Sequence, residues 1–587
     1  MLFRSLLLLP ATVRPAALLT DSPPPDLILH HARIVTGVPR PAVVSAIALR
    51  DGRIQETGED AEILRRRGPR TEVLDLEGRM VLPGLMDSHT HPADAAMTEW
   101  DHSIPSMQRI QDVLDYVRAR AKVVPAGEWI AVRQVFITRL AEQRYPTRAE
   151  LDQAAPRHPV LFATGPDASL NSLALQRSGI DRDFQPSDGG SGFAERDPVT
   201  GDLTGLLRNC SRFVTVPPPA RTAGREEKLR RITALFADYN ASGLTSICDR
   251  DANAEQIELY KELHGAGRLT VRLSISQHVE SIGPMSSIQG GIRAIASDPL
   301  FLGRTSNQWL RIIGIKTYLD GGMLTGSAFM REPWGVSAIY GIKDPAYRGV
   351  RFIPKDRLKT MVQTAVEGGL QFTAHSVGDG AVHALLEVYD ELDHELPAST
   401  PLRLTRPSIS HCNFMSQEAV EQAARLGVFL DVQPAWLHLD TRTLVKQFGS
   451  DRLRWFQPLR SLLAAGVTVG GGSDHMQKIG ANRAINPYSP FLGMATSITR
   501  LARDHPGPLH PEEALTRAQA IQLYTLNNAR LLGCDRELGS LEPGKRADLI
   551  VIDTDLMTCP EEAIARTRVL RTYIEGRLVH SADPRAP

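Results

Sequence analysis

Val81-Leu82-Pro83-Gly84-Leu85-Met86-Asp87-Ser88-His89-Thr90-His91 is an apolar run that ends in two histidines one residue apart, and its reading decides the fold. In an extended segment alternate side chains project to the same side, so His89 and His91 reach one metal ion. An isolated H-x-H is a weak signal. It gains force from its place at the end of a strand, and so the other strand ends become the test.

The central part of the chain alternates apolar strands with helical segments, which argues for parallel βα units. Candidate strands after Val81–His91 are Leu244–Asp249, Leu269–Ser276, Leu310–Asp320, Leu370–Ser376, Pro407–His411, Val428–Gln433 and Val467–Asp474. Eight units predict an α/β fold of the (β/α)8 TIM-barrel type, with the site at the C-terminal ends of the strands. Four later strands carry ligand-type residues: Lys316 near the end of the fourth, His375 in the fifth, His411 in the sixth and Asp474 in the eighth. A lysine within an apolar strand is costly to bury unless it is paired or modified. A lone strand-end histidine is usually just hydrogen-bonded, and a lone Asp before a helix is usually a cap. It is the arrival of all these residues in barrel order that points to a metal site.

Around the barrel the texture changes. Leu27-Ile28-Leu29, Ala46–Leu49 and Val73–Leu76 read as short strands with turns at Asp51-Gly52 and Glu77-Gly78. Ala547–Asp553 and Val569–Ile574, the latter followed by Glu575-Gly576, have the same character. Residues 26–80 and 538–587 therefore suggest one small β-sandwich domain built from both chain ends, flanking a barrel over 81–537. The stretch of about 100–225 is too long for a βα link and contains its own strand, Pro159–Ala163. It reads as an inserted subdomain after the first barrel strand, covering the barrel mouth.

Composition limits the function classes. The chain has 587 residues, 42% of them hydrophobic, with Lys+Arg and Asp+Glu both at 67. A net charge of zero gives no electrostatic argument for nucleic acid or an anionic membrane, which favours a small-molecule substrate. The five cysteines form no C-x-x-C pair, so neither a thiolate zinc site nor a disulfide framework is indicated. Cys412 reads as a small buried hydrophobe. No stretch approaches the ~20 apolar residues of a membrane span. Residues 1–25 are either a signal peptide or a disordered leader, so the protein is cytoplasmic or exported accordingly. Assembly is open between monomer and homodimer.

With these residues in place, the chain resembles the amidohydrolase superfamily, and within it amidohydrolase family 3, which includes YtcJ-like proteins and N-substituted formamide deformylases. The likeness runs from about Asp26 to Leu578. It includes Pro146-Thr147-Arg148-Ala149-Glu150-Leu151-Asp152, Asn171-Ser172-Leu173-Ala174-Leu175, His375–Val382 and the closing Gly539–Leu549. The resemblance implies that His89, His91 and Asp474 hold one metal and His375 and His411 a second, with a carbamylated Lys316 as bridge. Two zinc ions are the expected cofactors. It further implies cleavage of a C–N bond in an amide or formamide-like molecule by a metal-activated hydroxide, the bound water's pKa falling towards ~7. Asp474 is the expected catalytic general base and then acid. A mononuclear deaminase of a heterocycle is the enzymatic alternative, against which Lys316 argues, and a non-catalytic metal-binding barrel is the other.

Departures from the family pattern concentrate in the insertion. They are Gly127–Phe136, the His-less Gly165–Ser172, and Asn209 after Thr204–Arg208. They bear on the substrate and leave the metal ligands intact. His475, following Asp474, either faces the pocket and binds substrate or packs beneath the next loop. Tyr318 is a candidate substrate contact, and Tyr318, Asp320 and Asp379 adjoin ligands that they would orient, although Asp320 equally suits a purely conformational role at its Gly-rich turn.

Overall fold

The computed structural model describes residues 23–37, 43–133, 135–217 and 221–582, so most of the expected leader, 1–22, lies outside the described residues. Eight parallel strands form the expected barrel: β1 (Leu85–Thr90), β2 (Leu244–Ala252), β3 (Arg272–His278), β4 (Leu310–Tyr318), β5 (Gln371–Ser376), β6 (Ser408–His411), β7 (Phe429–Val432) and β8 (Val469–Gly471). Each pairs with its sequence neighbour. The seam between β8 and β1 is closed beyond the ladder, where Asp474 N–H donates to His89 O at 2.8 Å and His91 N–H to His475 O at 2.8 Å. The two ends that carry candidate ligands are thus stitched together by main chain.

The first strand is shorter than the apolar run suggests. Met80–Pro83 is a separate strand that pairs antiparallel with Leu549–Ile552 in an outer sheet, and the barrel begins only at Leu85. Gly84 makes the transfer. A Cβ there would lie 2.3 Å from Thr245 Oγ1, so only glycine lets the chain pass this close to β2.

Strands from both chain ends build two sheets. One has the order Arg53–Gly58, Ala46–Arg50, Leu27–His30, Glu72–Asp75; the other joins Arg577–Ser581, Val569–Ile574, Leu549–Ile552, Met80–Pro83, Arg33–Val35 and Val43–Val44. Alternation assigns their faces. Val81, Leu549 and Val551 pack with Leu27, Leu29 and Ile47 between the sheets, whereas Met80, Leu82, Ile550 and Ile552 join the barrel core. A strand buried on both faces reads as a continuous apolar run, which is why Val81 and Leu82 looked like barrel sequence. The turns at Asp51-Gly52 and Glu575-Gly576 have positive φ at both residues, as tight hairpins require. The six-stranded sheet is clamped to the barrel by a buried ion pair, Arg272 Nε to Asp548 Oδ2 at 2.6 Å.

Between β1 and β2 lies a five-stranded mixed sheet, ordered Phe193–Arg196, Leu203–Arg208, Ala168–Leu170, Val160–Ala163 and Ile130–Val132. The two motifs singled out here meet as one structural unit. Thr147 and Glu150 form a reciprocal capping box on helix Arg148–Ala154, and Asp152 accepts from both Ser172 N–H (2.8 Å) and Ser172 Oγ (2.7 Å). Asn171 caps the following helix through Ala174 N–H while also accepting from Val160 N–H. All five cysteines are free, and Cys412 is buried in the barrel core as a hydrophobe. Among the described residues no helix is long and apolar enough to cross a membrane.

Glu150 also takes both Arg144 Nη atoms at 2.8 and 2.6 Å, and these bonds, with the capping box, hold its carboxyl down at about 2. Its stabilising contribution is therefore present above the ordinary glutamate value and lost as pH falls towards 2. Glu150→Gln should cost about 1 kcal/mol of stability at neutral pH, with the deficit shrinking below pH ~4.5. Urea titrations of both proteins across pH test this; a deficit that does not vary with pH would refute the assignment.

Candidate metal centre

The C-terminal ends of the barrel strands open into a cavity of about 1000 Å³. Its lining includes His89, His91, Lys316, His375, His411 and Asp474, together with Ala131, Phe136 and Ala163 to Pro166 from the insertion. The imidazoles form a continuous arc: ring centroids are 5.3 Å apart for His89–His91, 4.7 Å for His89–His411 and 4.4 Å for His375–His411.

His89 is fully buried, and its Nδ1 lies 2.7 Å from Asp431 Oδ1. A carboxylate only accepts, so Nδ1 carries the hydrogen and Nε2 presents a bare lone pair. That Nε2 has no hydrogen-bond partner, and Asp474 Oδ1 stands 3.4 Å away. His91 Nε2 is 3.1 Å from the same oxygen. One donor atom each from His89, His91 and Asp474 lie within 4.8 Å of one another. A buried acceptor left bare is costly, and a divalent cation among these donors removes the cost, so the residues fit a metal. Burial holds His89 well below the ordinary histidine range. Burial also lowers His91, but Asp474 outweighs it and pushes the group up to about 9, so His91 carries a proton that a bound cation would displace.

Asp474 sits at φ 54°, a left-handed conformation that turns the chain out of β8, and Asn486 Nδ2 braces it at 2.8 Å from its main-chain oxygen and 3.3 Å from Oδ2. His411 and Cys412 are left-handed in succession, at φ 78° and 47°. His411 Nδ1 meets Gln433 Oε1 at 2.8 Å, which frees Nε2, and its ring stacks on Trp436 at 10°. His375 directs Nε2 at Gly321 O, 3.4 Å away; burial and the Lys316 charge bring it down to about 3.

Lys316 is 1% exposed, and its Nζ stands 5.3 Å from the Tyr318 ring centre. Among the described residues no carboxylate lies within ion-pair distance of it. Burial pulls its pKa below the ordinary lysine value. A desolvated amine with a raised neutral fraction is the form that reacts with an electrophile such as CO₂.

Of the two expected substrate contacts, one is in the cavity. Tyr318 lines it, its ring 5.3 Å from that of His375. His475 is turned away: it is fully buried, Nδ1 lies 2.7 Å from Tyr239 Oη, and Nε2 faces the main-chain oxygens of Gln477 and Lys478 at 3.1 and 2.7 Å. Nδ1 is taken up by Tyr239 on the helix before β2 and Nε2 by the loop after β8, so His475 packs beneath that loop and does not line the cavity. Asp320 accepts three main-chain N–H groups, from Phe329, Val377 and Gly378, and so serves as a conformational clamp. Gly378 is required there because a Cβ would lie 2.0 Å from Phe329 O. Asp379 accepts from Arg331 N–H, away from the ligands.

Sequence reasoning passed over Asp431, Gln433 and Asn486, which hydrogen-bond the candidate ligands, and Asp251 and His278, which line the cavity at the ends of β2 and β3. A signal for the first pair existed: Asp431 and Gln433 are two residues apart in an apolar strand and so share one face.

Residues 72–580 match the model of the amidohydrolase family. The chain is 29% identical over 568 residues to N-substituted formamide deformylase of Arthrobacter pascens, covering 94% of this chain and 98% of that one. It is 24% identical to the putative amidohydrolase YtcJ of Bacillus subtilis (strain 168), covering 94% and 99%. Among solved structures, an uncharacterized metal-dependent hydrolase from Pyrococcus horikoshii OT3 superposes with a TM-score of 0.65 at 20% identity, covering 91% and 99%; that likeness is one of fold.

Asp431→Asn keeps the shape of the side chain but removes the charge that fixes His89. It should weaken metal affinity about 10–100-fold. Metal competition with a chelator measures this, and unchanged affinity would show that Asp431 does not position the ligand.

Proposed function

This chain belongs to the amidohydrolase family, and we propose that it hydrolyses the C–N bond of a small amide or formamide-like substrate. The family makes it a metal-dependent hydrolase acting on carbon–nitrogen bonds other than peptide bonds. In the proposed centre His89, His91 and Asp474 would hold one zinc ion, His375 and His411 a second, and a carbamate on Lys316 would bridge them. The observation that carries this reading is the bare, buried Nε2 of His89 beside Asp474, with an unpaired, buried Lys316 in the same cavity lining. The likeness to the N-substituted formamide deformylase of Arthrobacter pascens supports the substrate class.

When bound, the metal supplies Lewis acidity and an activated water. The protein does the rest. The Asp474 carboxylate takes the proton of the attacking water and returns it to the departing nitrogen, while Asn486 holds it in place through Oδ2. Trp436, stacked on His411, and Phe136 from the insertion give the cavity apolar walls that keep bulk water from the reacting carbon. A one-metal deaminase would leave the buried Lys316 amine without a task.

Asp474→Asn should lower turnover at least ~10²-fold across a panel of N-formyl and N-acyl amines; near-normal rates would sink the assignment. Native mass spectrometry should find one added CO₂ on Lys316 and two metals per chain. An unmodified Lys316 with a single metal would overturn the binuclear centre.

A further inference from the structure

His278 ends β3 and lines the cavity with Asp251, Glu280 and Tyr318, yet the proposed reaction gives it no part. Its Nδ1 is 2.7 Å from Asp251 Oδ1 and its Nε2 is 3.2 Å from Glu280 Oε1. Asp251 is itself fixed from the other side, where Tyr318 Oη donates to its Oδ2 at 2.9 Å. Both nitrogens of His278 face carboxylates, so both carry hydrogen and both donate.

The two partners differ in kind. The Asp251 side chain is 22% exposed and held by two donors, so it is part of the wall. Glu280 is 78% exposed, on a long side chain with no other partner among the described residues, and an ion pair that exposed is weak. His278 Nε2–H is thus a fixed donor within the cavity whose present acceptor is readily exchanged. We propose that His278, oriented by Asp251, anchors a carboxylate on the substrate, and that the Glu280 carboxylate competes for the same Nε2.

Three features favour a carboxylate over other groups. Exchange of one carboxylate for another leaves the charge of the Asp251–His278–acceptor set unchanged, whereas a neutral acceptor leaves His278 less compensated. A cation meets an N–H donor and is repelled. Charge-assisted hydrogen bonds to a carboxylate are also the strong ones. Distance bounds the spacing. Tyr318 neighbours both His278 and the proposed centre, its ring 6.4 Å from the His278 ring and 5.3 Å from the His375 ring. The substrate class is therefore an amide or formamide with a carboxylate about one aromatic ring's width from the scissile bond. This deepens the proposed hydrolysis and rests on it.

The test compares para-(formamidomethyl)benzoate with its para-carboxamide, and, for binding without chemistry, para-ethylbenzoate with para-ethylbenzamide. Wild type should prefer the carboxylate about tenfold or more in kcat/KM, and His278→Gln should erase most of that preference, chiefly through KM. Glu280→Gln alters an exposed side chain and removes the competitor, so it should lower KM for the carboxylate severalfold. Calorimetry should give the same order of affinities for the ethyl pair. Carboxylate binding that His278→Gln weakens, with no hydrolysis of either formamide, would refute the reaction but uphold the anchor. Equal affinity of wild type for carboxylate and carboxamide, or an unchanged preference in His278→Gln, would overturn the anchor even in an active hydrolase.

Discussion

The Asp431 carboxylate, fully buried inside the barrel, is the constraint on which the centre depends. An uncompensated charge there would be prohibitive, so its oxygens must be satisfied. Oδ1 takes His89 Nδ1–H and Gln433 Nε2–H, Oδ2 takes Ser410 Oγ–H at 2.8 Å, and Arg250 Nε stands 3.6 Å from Oδ2. These partners come from β1, β2, β6 and the end of β7. One group thereby fixes the tautomer of His89 directly and, through Gln433, that of His411. Each imidazole is left with a lone pair facing the cavity, which is the requirement for ligating a metal.

A second constraint shapes the space above. Arg208 of the insertion is 2% exposed and pairs with Asp167, and it also donates to the main-chain oxygens of Thr325 and Tyr340 in the loop after β4. Tyr145 Oη donates to Thr325 O as well, at 3.1 Å. The insertion and that loop share a core containing Phe162, Leu206, Met323, Trp334 and Tyr340. Buried guanidinium bonds to main chain hold a wall in place more firmly than apolar contact alone, because breaking them strands a charge. The same wall carries Met323 and Leu324 to the cavity. Departures from the family pattern therefore fall on the cavity wall, and the candidate ligand residues beneath are unaffected.

Much of this was legible in the chain. Strand ends in barrel order exposed His89, His91, Lys316, His375, His411 and Asp474, because parallel βα units bring those ends to one face. The eight strands lie within a few residues of where the apolar runs put them. Where the runs misled, burial was the cause: Met80–Pro83 is apolar on both faces because it joins two cores, so no change in pattern marks the step at Gly84. His475 was ambiguous for a related reason. Adjacent side chains leave a turn in different directions, and the left-handed turn at Asp474 sends His475 under the loop towards Tyr239.

By itself, then, the sequence determined the barrel, the sheet-forming chain ends and the candidate ligand residues at the strand ends, since periodicity and order along the chain are local properties. Tertiary structure alone decided how those residues are held. The pairings His89–Asp431, His411–Gln433 and Asp251–His278 join residues from different barrel units, and Asp474–Asn486 spans the loop that follows β8. Such contacts are set by the closing of the barrel and the choice of rotamers within it, and no spacing in the chain encodes a partner that only the folded geometry brings within hydrogen-bonding distance.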